Sequence, residues 1–190
     1  MFLEKTVLIF GASAIALLAG ASSAAAELPG RYVRADGTIS LPADFRTELT
    51  HIGSWFVPEG DASGFHDVFA QPSAVKHFRE HGEFPDGTVL VKELRASEAG
   101  DYSTGAGVHR ATPGLKQWFV MIKDQAGRFP GSPHWGDGWG WALFKPDKPE
   151  SNVSGNYRTD CIGCHLPAKA TDLVYIEGYP ALKPRHAGRP

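Results

Sequence analysis

Leu115-Lys116-Gln117-Trp118-Phe119-Val120-Met121-Ile122-Lys123-Asp124 is the stretch on which the fold turns. It is apolar, β-branched and aromatic through its middle, and its length suits a strand covered on both faces. Alternation puts Trp118, Val120 and Ile122 on one face and Phe119 and Met121 on the other. Residues 88–94 (TVLVKEL) read the same way, entered through Phe84-Pro85-Asp86-Gly87, where Pro presets φ and Gly allows a positive φ. Trp139–Phe144, residues 51–57 and the short Val174-Tyr175-Ile176 are further strand candidates. Helices are fewer: Pro72–His81, with Pro in its first turn and Gly82 after its end, and residues 42–50. Residues 147–157 read as a polar loop and residues 183–190 as a frayed tail. The expected class is α+β, mainly antiparallel sheet with a few helices.

Residues 1–26 read as an export signal. A short charged start at Lys5 precedes an apolar run over residues 7–19 that is too short for a comfortable membrane span, and Ala24-Ala25-Ala26 supplies a cleavage site. An uncleaved anchor is the competing reading. Cleavage after Ala26 predicts a single domain over residues 27–190, periplasmic and free of the membrane. With 42% hydrophobic residues and a formal charge of -2, the chain has no basic excess that would suit nucleic acid or an anionic membrane surface. No internal repeat or heptad pattern interrupts it.

The two cysteines of an exported chain would ordinarily suggest a disulfide, but here they stand in Cys161-Ile162-Gly163-Cys164-His165. Cys-x-x-Cys-His is the attachment motif of c-type haem. On a C-terminal helix capped by Thr159 or Asp160, positions 161, 164 and 165 share one face. Both sulfurs then reach the haem vinyl groups while a neutral His165 ring nitrogen ligates the iron, its other N–H held by a carbonyl or carboxylate. A redox CxxC pair would want a βαβ setting, and a structural zinc site more ligands than these cysteines supply. The motif predicts one covalent haem c.

Only 25 residues follow His165, without a Met and with one His, His186, so a sixth ligand would have to come from upstream. Met121 is the one methionine left after signal removal, and its place in the most core-like strand favours packing. The iron is therefore expected to be five-coordinate. Of the upstream histidines, His51, His66, His77, His81, His109 and His134, none is fixed by spacing as a ligand. His134 stands out because it precedes Trp135-Gly136-Asp137-Gly138-Trp139-Gly140-Trp141, where Gly lets backbones approach and Trp can stack on a flat ligand or fill a core.

The chain resembles the cytochrome P-460 family, which includes cytochrome c-prime beta. The matching pieces, in the family's order, are Gly64-Phe65-His66-Asp67-Val68-Phe69, the run from Gly82 through Glu93, Trp118 to Asp124, Trp135 to Trp141, the haem motif and Tyr179-Pro180. The resemblance implies a mostly antiparallel fold, a homodimer, a C-terminal haem with a proximal His, and a distal side open to small nitrogen ligands. P-460 members oxidise hydroxylamine and carry a lysine bonded to a haem meso carbon. The c-prime beta members lack that bond and bind nitric oxide in a pocket capped by phenylalanine. Alignment sets the family lysine near Ser73, and the lysine in reach, Lys76, lies about one helical turn later. The expectation is accordingly no cross-link and weak or absent hydroxylamine oxidation, with Lys76 alternatively a solvated helix residue. Asp137 is a candidate distal acid for proton transfer, or simply a turn residue.

The leading reading is thus a periplasmic mono-haem cytochrome that binds small nitrogen ligands, nitric oxide or hydroxylamine, with an unidentified redox partner. Turnover beyond binding stays open, with Asp137, Lys76 and His134 as distal candidates. The alternative is an electron-transfer cytochrome without substrate chemistry.

Overall fold

The computed structural model describes residues 27–183. The expected signal over residues 1–26 and the tail beyond Lys183, with His186, lie outside the described residues. The core element is one six-stranded antiparallel sheet formed by β1 (Thr50–Val57), β2 (Gly64–Ala70), β3 (Val89–Tyr102), β4 (Gly105–Lys123), β5 (Trp135–Gly136) and β6 (Trp139–Phe144), in the order β1-β2-β3-β4-β6-β5. Helices are short apart from α3 (Pro72–His81), and the others are α1 (Glu27–Tyr32), α2 (Phe45–Glu48), α4 (Tyr157–Asp160) and α5 (Ile162–His165). The class is the α+β expected from the strand periodicity. No described helix is long and apolar enough to cross a membrane.

Strand alternation gives the sheet two apolar faces. Val89, Val91, Val120, Ile122, Ala142 and Phe144 form one core with Tyr32, Ile39, Phe45 and Leu49 of the N-terminal segment. Leu90, Met121, Trp139 and Trp141 belong to the other, which the C-terminal segment covers through Tyr157, Leu173, Val174 and Tyr179. Helix α3 buries Ala74 and Val75 against that same side and ends on Gly82 in the left-handed conformation, its N–H bonded to the Phe78 carbonyl, as the Pro and Gly punctuation requires.

Three expectations change. Val174-Tyr175-Ile176 is no strand but a link into a 3-10 turn (Ile176–Gly178), because residue 173 already turns left-handed and its neighbours bond locally. The helix expected over residues 42–50 shrinks to four residues, Phe45–Glu48, since the chain enters β1 at Thr50. The strand over residues 88–94 runs on to Tyr102 and pairs with β4 from Gly105, so the hairpin extends past the sheet as a ribbon in which Ser97–Gly100 face only Val108–Ala111.

The C-terminal segment can lie close to the sheet because glycine stands at the contacts. A Cβ on Gly53 of β1 would sit 2.2 Å from the Gly178 carbonyl oxygen, and one on Gly136 would sit 2.1 Å from the Tyr157 hydroxyl. Trp55 then stacks on Tyr179, ring centroids 5.5 Å apart, and closes one side of the covered face.

Candidate haem site

Between the sheet and the C-terminal segment lies a cavity of about 640 Å³, within the range of sites that enclose a small molecule. Its sheet wall includes Leu90, Lys92 and Leu94 from β3, Phe119 and Met121 from β4, and Trp141 from β6. Cys161, Cys164 and His165 complete it from the C-terminal side. The motif is not one continuous helix. Tyr157–Asp160 form α4, Cys161 breaks the geometry at φ -126, and α5 resumes at Ile162. Thr159 and Asp160 lie inside α4 rather than capping the motif. The cap is Asn156, whose side chain accepts from the Arg158 N–H at 2.9 Å, while Asp160 accepts from the N–H groups of Gly155 and Asn156. The motif's three functional side chains nevertheless meet at the cavity.

The His165 Nδ1–H donates to the Leu173 carbonyl at 2.7 Å, which fixes the tautomer and leaves the Nε2 lone pair uncommitted. Burial holds His165 below the ordinary histidine pKa, so the ring is neutral, the form that ligates metal. Trp141 meets the ring edge-on at 4.9 Å, and its own face stacks on Tyr157 at 6.2 Å. Both cysteines are free thiols, and burial pushes Cys161 up to about 11. Two thiols and a neutral imidazole on one wall of an apolar cavity are the donor set that a c-type haem needs, and they fit it.

Along the sheet wall the same cavity runs from this end toward His66. Trp141, beside His165, is on β6, and His66 is on β2 with β3 and β4 between, about 14 Å across at ordinary strand spacing. His66 is buried and lines the cavity. Its Nε2–H donates to the Ala62 carbonyl at 2.7 Å, and burial lowers its pKa, while Nδ1 has no partner among the described residues. On the adjacent strand, Lys92 Nζ lies 4.1 Å from the centre of the Phe119 ring, and burial pushes the amine down to about 8. No ion pair to Lys92 occurs among the described residues.

Neither Lys76 nor Asp137 nor His134 lines this cavity. Lys76 is exposed because α3 turns Ala74 and Val75 inward and carries residue 76 past the buried stripe. Asp137 is exposed at φ 54 between Gly136 and Gly138, where it makes the β5–β6 turn and accepts a hydrogen bond from the Tyr157 hydroxyl at 3.0 Å. His134 sits just before β5, its carbonyl accepting from the Trp141 N–H at 2.8 Å. The cavity's lysine and histidine are instead Lys92 and His66. Period-two alternation could have found both, since Lys92 shares a face with Leu90 and Leu94, and His66 with Val68 and Ala70. Met121 is 8% exposed and belongs to both the core and the cavity wall.

Comparison with known proteins agrees with this geometry. The family model described as Cytochrome P460 matches residues 42–176, from just before α2 through the motif to the turn after His165. No curated protein matches the chain.

Proposed function

The chain belongs to the Cytochrome P460 family of haem-binding cytochromes, and on that premise we propose that it is an exported, periplasmic mono-haem protein that binds small nitrogen ligands. Cys161 and Cys164 hold the haem by thioether bonds, and His165 Nε2 ligates the iron. One observation carries this reading: a neutral imidazole, anchored through Nδ1 to the Leu173 carbonyl, faces the same cavity as both motif cysteines. Haem, when bound, supplies the iron that takes the ligand and stores the electrons. The chain's own residues hold the imidazole in one tautomer, exclude water with Trp141, Leu90 and Leu94, and offer His66 and Lys92 as the cavity's further polar groups. Met121 stands on the same wall as Trp141, next to it in register, which favours a packing role and an iron open to nitric oxide or hydroxylamine.

Haem retained after denaturation and acid-acetone extraction is the expected result, with reduced protein taking up carbon monoxide or nitric oxide rapidly. Extractable haem would overturn the attachment. A six-coordinate, low-spin spectrum in both oxidation states that ignores both gases would favour the electron-carrier reading, and its loss in Met121→Ala would name the sixth ligand.

Lys92 changes the expectation about the cross-link. P-460 members of the family carry a lysine bonded to the macrocycle and c-prime beta members do not. The displacement of Lys76 predicts no cross-link, but Lys92, unlike Lys76, lines the cavity with an amine that burial makes easier to deprotonate. We therefore assign Lys92 as that lysine: an amine N–H and a meso C–H are replaced by an N–C bond while two protons and two electrons pass to an external oxidant of the peroxide or dioxygen class. The bonded state supports hydroxylamine oxidation over nitric oxide binding alone. Intact mass should show the wild type lighter than the sum of chain and haem by the hydrogens lost on bonding, and the Lys92→Ala variant at the full sum for its sequence. A full-sum mass in the wild type would return the protein to the c-prime beta reading. The homodimer implied by the resemblance belongs to the same proposal.

A further inference from the structure

The carbonyl that holds His165 is itself held in an unusual way. Leu173 has φ 65 and the preceding Asp172 has φ 60, two consecutive non-glycine residues in the left-handed region. Asp tolerates that conformation with help from its short polar side chain, but Leu has no such compensation. The surroundings must therefore impose it. Leu173 is buried, and its N–H donates to the Ala168 carbonyl at 2.9 Å, so the backbone is tied on its near side by the loop itself.

The far side is tied to the sheet. Lys123, at the end of β4 and 6% exposed, places Nζ 2.6 Å from Asp172 Oδ1 and 4.8 Å from the centre of the Trp139 ring. The Trp139 indole N–H in turn donates to the Asp172 carbonyl at 3.0 Å. Trp139 is fully buried, and its strand pairs with β4 so that Lys123 and Trp139 are directly opposite. None of Lys123, Trp139 and Asp172 lines the cavity. An ammonium and an indole fixed to a rigid sheet thus grip both the side chain and the backbone of the residue just before the one that meets His165.

We propose that the Lys123–Asp172 pair, with Trp139, is a positioning device for the proximal histidine. By holding residues 172 and 173 left-handed it aims the Leu173 carbonyl at His165 Nδ1–H, and so sets how much electron density the imidazole delivers to iron. The inference rests on His165 being the iron ligand, as argued above. Its physical basis is that a hydrogen bond to the outer nitrogen of a ligating histidine fixes the ring and raises its basicity, and that such bonding is one of the protein's levers on haem potential.

The test uses the intact holoprotein and the variants Lys123→Met and Asp172→Asn, the latter retaining a residue type that tolerates positive φ. Resonance Raman of the ferrous protein should show the iron–histidine stretch at lower frequency in both variants. The midpoint potential should rise, by about 59 mV if the ferric form loses about tenfold in relative stability, as second-shell changes commonly cost. Lys123→Arg should restore both readouts toward wild type. Glu98→Gln, which breaks the exposed pair with Arg110 on the ribbon, should move neither. A merely structural clamp would lower the melting temperature while leaving stretch and potential unchanged, and that result in Asp172→Asn overturns the proposal even if Lys123→Met fails to accumulate. Should the wild-type stretch survive His165→Ala, the ligand assignment itself falls, and the positioning role with it.

Discussion

The two faces of the sheet are made by the same strands and differ in what lies over them. Toward the N-terminal segment, Val89, Val91, Val120, Ile122 and Phe144 meet Phe45 and Leu49 in a packed core. Toward the C-terminal segment, Leu90, Lys92, Phe119, Met121 and Trp141 line a cavity of about 640 Å³. Lys92 and Glu93 show the contrast within one peptide unit. Glu93, 3% exposed on the packed face, is bonded by Arg46, Arg95 and the Trp118 indole N–H. Lys92, on the cavity face, has an aromatic ring beside it and no ion pair among the described residues. A buried charge with partners supports structure, whereas one aimed into a cavity without them points to a ligand.

The largest effect that would break the comparison is at Phe144, fully buried on the packed face. Phe144→Ala should cost about 3–5 kcal/mol of stability. Phe119→Ala, on a residue that borders the cavity, should cost clearly less while moving the visible spectrum. Urea denaturation of both variants checks this, and equal losses would mean that the two faces are packed alike.

A smaller effect belongs to Glu93. Replacing it by Ala removes the acceptor for the Trp118 indole and two arginines, at about 1–3 kcal/mol. The arginines are part-exposed and can turn to water, so the loss should stay within that range in the same denaturation series. No loss would show that this network does not hold the packed face.

Lys92 should show the smallest effect and one of opposite sign. Burial pushes its amine down to about 8, whereas an unfolded lysine titrates near about 10.4. Between those values the unfolded chain binds more protons than the folded one, so stability rises with pH across that window. Below it the buried ammonium is a penalty, so in the haem-free protein, whose Lys92 amine is unbonded, Lys92→Met should be more stable than wild type at neutral pH. Denaturation of the haem-free pair at a series of pH values should show that advantage shrinking above about pH 8. In the haem-loaded protein the nitrogen is bonded to carbon and this pH dependence should vanish; its persistence there would overturn the cross-link assignment.

Local chemistry determined a good part of this protein before any tertiary contact was considered. Cys161, Cys164 and His165 are legible because attachment demands fixed spacing, and helix α3 because Pro72 and Gly82 mark its ends. Trp139–Phe144 and the face assignment of Trp118 through Ile122 follow from period-two alternation, which any sheet must obey. Val174-Tyr175-Ile176 misled because β-branched and aromatic residues also occur in a link, buried only at Val174, whose path is set by neighbours. The cavity itself was beyond the sequence: it depends on how far the C-terminal segment stands from the sheet, which Gly53, Gly136 and the Lys123–Asp172 contact decide together from distant positions. Alternation puts Lys92 on one face with Leu90 and Leu94, but that this face meets the motif was decided only when β3 took its place in the middle of the sheet. A strand pattern states which residues share a face, but which partner that face meets is settled by contacts that span the whole chain.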